Sequence, residues 1–294
     1  MKNKHKKIVQ FAHPYRIKEG DKFRLKDIEP GDTGKLKSEK EAKELLADGV
    51  KLMSEMQEKL YAQDRWSLLL VFQAMDAAGK DGTIKHVLSG INPQGCDVHS
   101  FKSPSAIELS HGYLWRSSLV MPERGRIGIF NRSYYEEVLV VRVHREMLAA
   151  EKIPAPLVTK DIWSERFQDI NAYERYLSRN GTVIRKFFLH LSKAEQKRRF
   201  LARLNEPSKN WKFSGSDLKE RAYWDEYMGA YEEAIRETST KAAPWYVVPA
   251  DNKWFTWLVV AAVIVETLDS LGLSYPKVTP AQQEILDHAR NVLR

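Results

Sequence analysis

Between residues 38 and 63 the apolar positions Ala42, Leu45, Leu46, Val50, Met53, Met56 and Leu60 recur every three or four residues, which places them on one helical face. At 67–72 the pattern changes to an unbroken Leu/Val/Phe run. Such a run suits a strand whose two faces are both covered by helices. A glycine turn and a helix over 82–88 follow. Further strands are predicted at 97–101, 126–130 and 182–191, the apolar stretch at 245–248 returns the chain to the sheet, and a helix over 254–271 closes it. Ser192 with Glu195 reads as a capping box opening a basic helix through Leu204. Strand alternating with helix predicts an α/β fold with a parallel sheet.

Two segments lie outside this alternation. Residues 1–37 are polar and basic and are interrupted by Pro14, Gly20, Pro30, Gly31 and Gly34, so they are expected to form an irregular arm over the core. Residues 205–243 carry no strand pattern. There, Leu218, Tyr223, Trp224, Tyr227, Met228, Tyr231 and Ile235 are spaced as one helix over 217–237, behind the loop Trp211-Lys212-Phe213-Ser214-Gly215. An aromatic and basic loop followed by an amphipathic helix predicts a lid that closes over a polyanion and excludes water. The stripe of Trp224, Tyr227 and Tyr231 has the spacing of core residues.

With 294 residues, 43% of them hydrophobic, the chain can bury a full core as one domain over 1–294. The apolar run 257–265 is ended by Glu266 and is too short to cross a bilayer. No apolar stretch of signal-peptide length follows the N-terminal lysines, so a cytoplasmic, membrane-free protein is expected. Cys96 is the single cysteine, which excludes an intrachain disulfide and suggests a small core residue. Zinc has no support, because no histidine stands in metal-site spacing. The balance of 47 Lys and Arg against 39 Asp and Glu, a formal charge of +8, favours anionic partners: nucleic acid, nucleotides or polyphosphate.

The chemistry is concentrated at the ends of two predicted strands. Ala74-Met75-Asp76-Ala77-Ala78-Gly79-Lys80-Asp81-Gly82-Thr83 sets small residues and a lysine between a buried strand and a helix. Small residues let backbone N–H groups turn toward phosphate oxygens, the helix N-terminus adds its positive end, and the lysine reaches the terminal phosphates. Ala77, Ala78, Gly79, Lys80, Asp81, Gly82 and Thr83 are therefore the candidate phosphate-binding positions. The match to GxxxxGK[ST] is incomplete, since Ala74 replaces the first glycine and Asp81 stands where Ser or Thr would meet magnesium. Asp76 is a carboxylate inside a phosphate-cradling loop, which calls for a cation between the two or for a role in activating an attacking oxygen. After the strand at 126–130 come Asn131, which can offer an oxygen to a metal ion, and Arg132, whose planar fork suits a transferring phosphoryl group. An ordinary strand-to-helix turn with Ser133 as cap is the competing reading. Lys212 is a candidate contact for the polyanion, and so is Arg142, because an arginine in the apolar run 138–143 needs an anionic partner. Arg185, Lys186, Arg198, Arg199 and Arg203 could line a polyphosphate path, although helix arginines at this spacing are usually a solvated face.

Four ordered blocks resemble family 2 polyphosphate kinases: the loop 74–82, Phe130-Asn131-Arg132-Ser133, Trp211-Lys212-Phe213 with Asp217, and Thr238-Ser239-Thr240 with Ala243-Pro244-Trp245. The resemblance spans about residues 23–275. It implies a three-layer α/β/α sandwich of P-loop kinase type with a helical lid, and transfer of a terminal phosphoryl group between inorganic polyphosphate and ADP/ATP or GDP/GTP, with AMP as a further acceptor. It also implies dependence on Mg²⁺, with Mn²⁺ as a substitute, and a homodimer or homotetramer without nucleic acid. On that resemblance Asp76, Lys80 and Arg132 are the catalytic residues, and Asp76 and Asn131 hold the metal; many members carry Asp at the position of Asn131. Two other readings stay open at this point: a nucleoside or nucleotide kinase that uses ATP as donor, and a basic scaffold that binds nucleic acid.

Overall fold

Strands β1 (Ser67–Gln73), β2 (Cys96–Ser100), β3 (Ile127–Asn131), β4 (Thr182–His190) and β5 (Trp245–Pro249) form one parallel sheet in the order β2-β3-β1-β4-β5. The computed structural model describes residues 2–18, 22–36 and 38–294; Gly20 lies outside the described residues. Every residue of β1 is buried. Its side chains alternate between two cores, with Leu68, Leu70 and Phe72 on one face and Leu69 and Val71 on the other.

Helices α1 (Lys2–Val9), α2 (Glu39–Gln63) and α3 (Lys80–Val87) cover the first face, together with α10 (Lys253–Asp269). Nearly all of α10 is buried between the sheet and α2, so its sequence is apolar around the whole circumference. Helices α4 (Trp115–Ser118), α5 (Glu136–Val143), α6 (Ile162–Arg179), α7 (Lys193–Asn205), α8 (Gly215–Ala222) and α9 (Trp224–Thr238) follow in turn. Of these, α5, α6 and α9 cover the second face. The fold is thus the expected α/β/α sandwich of P-loop kinase type. Among the described residues, no helix is long and apolar enough to cross a membrane. Cys96 is half-buried on the edge strand β2, packed against the rim of the first core.

Two expectations need correction. The arm is not irregular throughout: α1 inserts Ile8 into the first core, Phe11 and Tyr15 set their rings edge-on to Phe255, and Tyr15 donates to Asp32 at 2.6 Å. The insertion is not one helix either. It breaks at Tyr223, and α9 buries Trp224, Tyr227, Tyr231 and Ile235 in the second core, so α9 is part of the helical layer. The part with no buried residue is the short 3₁₀ helix Pro207–Lys212 together with α8. After α10 comes one further helix, α11 (Pro280–Val292), capped by Thr279 and burying no residue.

Arg185 and Lys186 face inward, away from any surface path. Arg185 donates to Thr267 at 2.9 Å, and the fully buried Lys186 ammonium donates to Glu174 at 2.6 Å, the Tyr135 hydroxyl at 2.8 Å and the Thr238 carbonyl at 2.7 Å. Glu174 also accepts from the hydroxyls of Tyr134 and Tyr135. This network ties β4 and α6 to the segment that follows Arg132. Because removing one partner leaves a buried charge unpaired, Lys186→Met is expected to lower stability by about 3–5 kcal/mol in urea unfolding. The double variant Lys186→Met/Glu174→Leu is expected to recover most of that loss; equal instability of both variants would contradict the pairing argument.

Candidate active site

In an open parallel sheet ligands bind at the carboxyl ends of the strands, where the chain order reverses. Here β1 lies between β3 and β4, and the loop 74–79 leaves its carboxyl end to start α3. Gly79 caps α3 at φ +101°, a left-handed conformation that a side chain would strain. Ala77 holds φ +62° and Arg132, just beyond β3, φ +66°. Two non-glycine residues are thus held in an uncommon backbone region at the mouth of the sheet.

The charged groups converge there. Lys80 folds back and donates to the Ala74 carbonyl at 2.8 Å. Burial, and secondarily Arg132, push its ammonium down to about 8. Arg132 donates to Glu136 at 2.9 Å and to Asp76 Oδ1 at 3.3 Å, and its backbone N–H reaches the Phe72 carbonyl at 3.0 Å. The charge of Glu136 above all holds its guanidinium protonated. Asn131 donates to Asp81 at 2.7 Å. Asp76, Lys80, Asp81, Asn131 and Arg132 therefore form one cluster across the ends of β1 and β3. The first N–H groups of α3, those of Lys80, Asp81 and Gly82, precede the first helical bond and are available to an anion.

Some candidates lie elsewhere or have other partners. Thr83 is buried, and both its N–H and its hydroxyl donate to the Gly79 carbonyl, at 2.9 and 3.0 Å, so its donors serve the helix and not a phosphate. Arg142 finds its anionic partner in Glu233 on α9, at 2.5 Å, and lies over Phe167. It is on a helix that packs against α9, so the expected phosphate contact is replaced by an internal pair. The exposed Lys212 lies 5.0 Å from the Trp211 ring centroid and forms no ion pair among the described residues. Ser133 does act as a turn residue, accepting from Tyr135 N–H at 3.1 Å.

Sequence reasoning missed the role of α7. Arg199 is buried, not solvated, and donates to the carbonyls of Ala77 and Ala78. The Glu195 side chain turns to Arg198 and Arg199, so only half of the expected capping box forms. The helical spacing carries no signal for this, since Arg198 and Arg199 are equivalent in type. A cavity of about 140 Å³ also opens beside Arg132, lined by Ser133, Glu136, Glu137, Tyr113 and Glu151. Burial, and then the neighbouring Glu151, raise Glu137 to about 8.

A cation-lined loop and helix N-terminus at the end of the central parallel strand define a P-loop kinase-like protein. The chain belongs to the polyphosphate kinase 2 family, whose model matches residues 35–274. It is 54% identical over 280 residues to the ADP-polyphosphate phosphotransferase of Rhodopseudomonas palustris, covering 95% of this chain and 97% of that one. It is 45% identical over 273 residues to the AMP/ADP-polyphosphate phosphotransferase of Meiothermus ruber, covering 92% and 98%. The crystal structure of polyphosphate kinase 2 from Arthrobacter aurescens TC1 superimposes with a TM-score of 0.85 at 39% identity, covering 95% and 96%.

The lowered Lys80 value has a definite sign. Between about 8 and the ordinary 10.5 the folded chain binds fewer protons here than the unfolded chain, so this group's share of stability increases as pH rises through that window. Anion binding runs the other way, because it needs the ammonium. Calorimetric affinity for tripolyphosphate is expected to fall as pH rises through about 8. In Lys80→Arg that fall is expected to vanish; a profile unchanged in the variant would assign it to another group.

Proposed function

We propose that this protein transfers the terminal phosphoryl group of inorganic polyphosphate to a nucleoside diphosphate, ADP or GDP, and to AMP, and runs the reaction in reverse from ATP or GTP. The observation that carries the reading is the bridge from Arg132 to Asp76 beside Lys80, within the stretch that matches the family. An oxygen of the acceptor's terminal phosphate attacks the terminal phosphorus of the chain. The bridging P–O bond breaks, and the shortened chain leaves with the electron pair. Such transfers pass through a loose, in-line transition state that proteins stabilise by positioning and by neutralising charge. Lys80 and the α3 N–H groups hold one phosphate chain, Arg132 stabilises the transferring group, and Asp76 orients the attacking oxygen. The cavity beside Arg132 receives the acceptor's nucleoside.

Mg²⁺, or Mn²⁺ in its place, belongs to this reading, where it neutralises phosphate charge. Magnesium carried by phosphates needs only one or two protein carboxylates. Among the described residues no group of three or more His, Cys, Asp or Glu is gathered as a closed metal site. Asp76 uses Oδ1 for Arg132 and Asp81 uses Oδ1 for Asn131, so each keeps a second carboxylate oxygen, and Asn131 keeps its amide oxygen. Asp76 and Asn131 would hold the ion, joined by Asp81.

Pro207–Lys212 and α8 form the lid. Its attachments are mainly polar, Arg203 with Asp217 at 3.2 Å, His144 with Glu220 at 2.9 Å and Arg221 with Gln196 at 2.6 Å, beside one edge-on ring contact of Phe213 with Phe200. Lys212 would then guide the polymer.

Pure protein with ADP, Mg²⁺ and polyphosphate is expected to form ATP, measured by chromatography. No ATP, with phosphorylation of a nucleoside by ATP instead, would move the assignment to an ATP-dependent kinase. Asp76→Asn is expected to lower kcat by about 10²-fold or more with an unchanged circular dichroism spectrum. A basic scaffold that binds nucleic acid would keep or gain anion affinity in that variant and would have no turnover to lose.

A further inference from the structure

Three successive carbonyls of the loop point at the same helix. Gln196 Nε2 donates to Asp76 O at 2.9 Å, and Arg199 Nη1 donates to Ala77 O at 3.0 Å and Ala78 O at 2.9 Å. Both side chains are buried, although α7 is otherwise rich in exposed Lys and Arg. In a planar trans peptide the C=O of one residue and the N–H of the next point in opposite directions, and the described chain contains no cis peptide. With the carbonyls of 76, 77 and 78 turned to α7, the N–H groups of Ala77, Ala78 and Gly79 face the other way. Ala78 N–H closes a turn on Met75 O at 3.2 Å. Those of Ala77 and Gly79 join the free N–H groups at the start of α3.

We infer that Arg199 and Gln196 are positioning residues for phosphoryl transfer, which hold the loop in its anion-binding form. This inference rests on the kinase reading. Arg199 uses its fork fully: besides the two loop carbonyls it donates to Ala250 O at 2.6 Å, Asp251 O at 3.0 Å and Glu195 Oε1 at 2.7 Å. The loop is thereby fixed to the end of β5, and the left-handed Ala77 and Gly79 are held from outside. Gln196 adds a connection to the lid, because its Oε1 accepts from Arg221 of α8 at 2.6 Å while its Nε2 holds Asp76. One amide thus spans the moving segment and the carboxylate-bearing residue of the loop.

A lysine keeps the charge of Arg199 but cannot reach carbonyls on both sides at once. Arg199→Lys is expected to weaken tripolyphosphate binding in calorimetry by about tenfold and to lower kcat by about 10²-fold, with KM for ADP nearly unchanged. In Arg199→Ala, millimolar guanidinium is expected to restore kcat by about tenfold, and methylammonium at equal ionic strength to restore none. Gln196→Leu, which loses the bonds to Asp76 and Arg221, is expected to lower kcat while leaving the thermal midpoint close to wild type. If Arg199→Ala does not fold, the Lys and Leu variants decide. Wild-type kcat and polyphosphate KM in Arg199→Lys, or a folded Arg199→Ala that guanidinium leaves inactive, would overturn the inference. If wild-type protein forms no ATP from polyphosphate, the kinase reading fails, and the calorimetric comparison still tests the positioning role.

Discussion

Asp76 and Arg132 sit just past the ends of neighbouring strands, and their meeting ties the loop after β1 to the turn after β3. The β1–β3 register pairs Phe72 with Asn131, and the next residue, Arg132, hydrogen-bonds through its backbone to Phe72. A left-handed turn at Arg132 then sends its side chain back over the loop, where it finds Asp76 on one side and Glu136 on the other. Such a turn costs about 1–3 kcal/mol at a non-glycine residue. The ion pairs and the buried network behind Tyr134 and Tyr135 hold it in place. Lys80 lies against this cation, and the closeness of the two helps to depress the lysine. Lys80 and Arg132 are held together among the carboxylates of Asp76, Asp81 and Glu136, so the two cations stand side by side at the end of the sheet.

The segment 205–243 illustrates how one apolar pattern can serve two purposes. Its second half, α9, buries aromatic rings in the sandwich and brings Tyr231 close enough for the charges of Glu136, Arg132 and Asp76 to act on its hydroxyl. Its first half buries no residue of its own and is attached by polar groups and by the edge-on contact of Phe213 with Phe200. Asp217 of α8 is raised mainly by desolvation and next by the charge of Asp76, which places α8 within electrostatic reach of the loop.

Much of the architecture was legible in the sequence. The apolar runs of β1, β3 and β5 are legible because a strand covered on both faces favours such runs, whereas the edge strand β2, Cys96–Ser100, is mixed in composition and largely unburied. The small-residue loop with Asp76 and Lys80, and Asn131 with Arg132, stood out because their chemistry is unusual at strand ends. Less legible was the direction of long basic side chains. Arg142, Arg185, Lys186 and Arg199 look alike in a linear pattern, and each can extend to solvent or turn inward. Which way each turns depends on whether another element supplies an acceptor.

What the sequence by itself determined is the period of its hydrophobic positions, hence the alternating strands and helices, the parallel sheet, and the small residues that let the chain turn tightly at Gly79. These are local properties, carried by neighbours along the chain. Only the tertiary structure decided that Glu233 takes Arg142, that Glu174 takes Lys186, and that α7 turns Gln196 and Arg199 onto the loop carbonyls. The physical reason is that a buried charge or carbonyl must be satisfied by whatever folding brings beside it, and these partners are up to 122 residues away in the sequence.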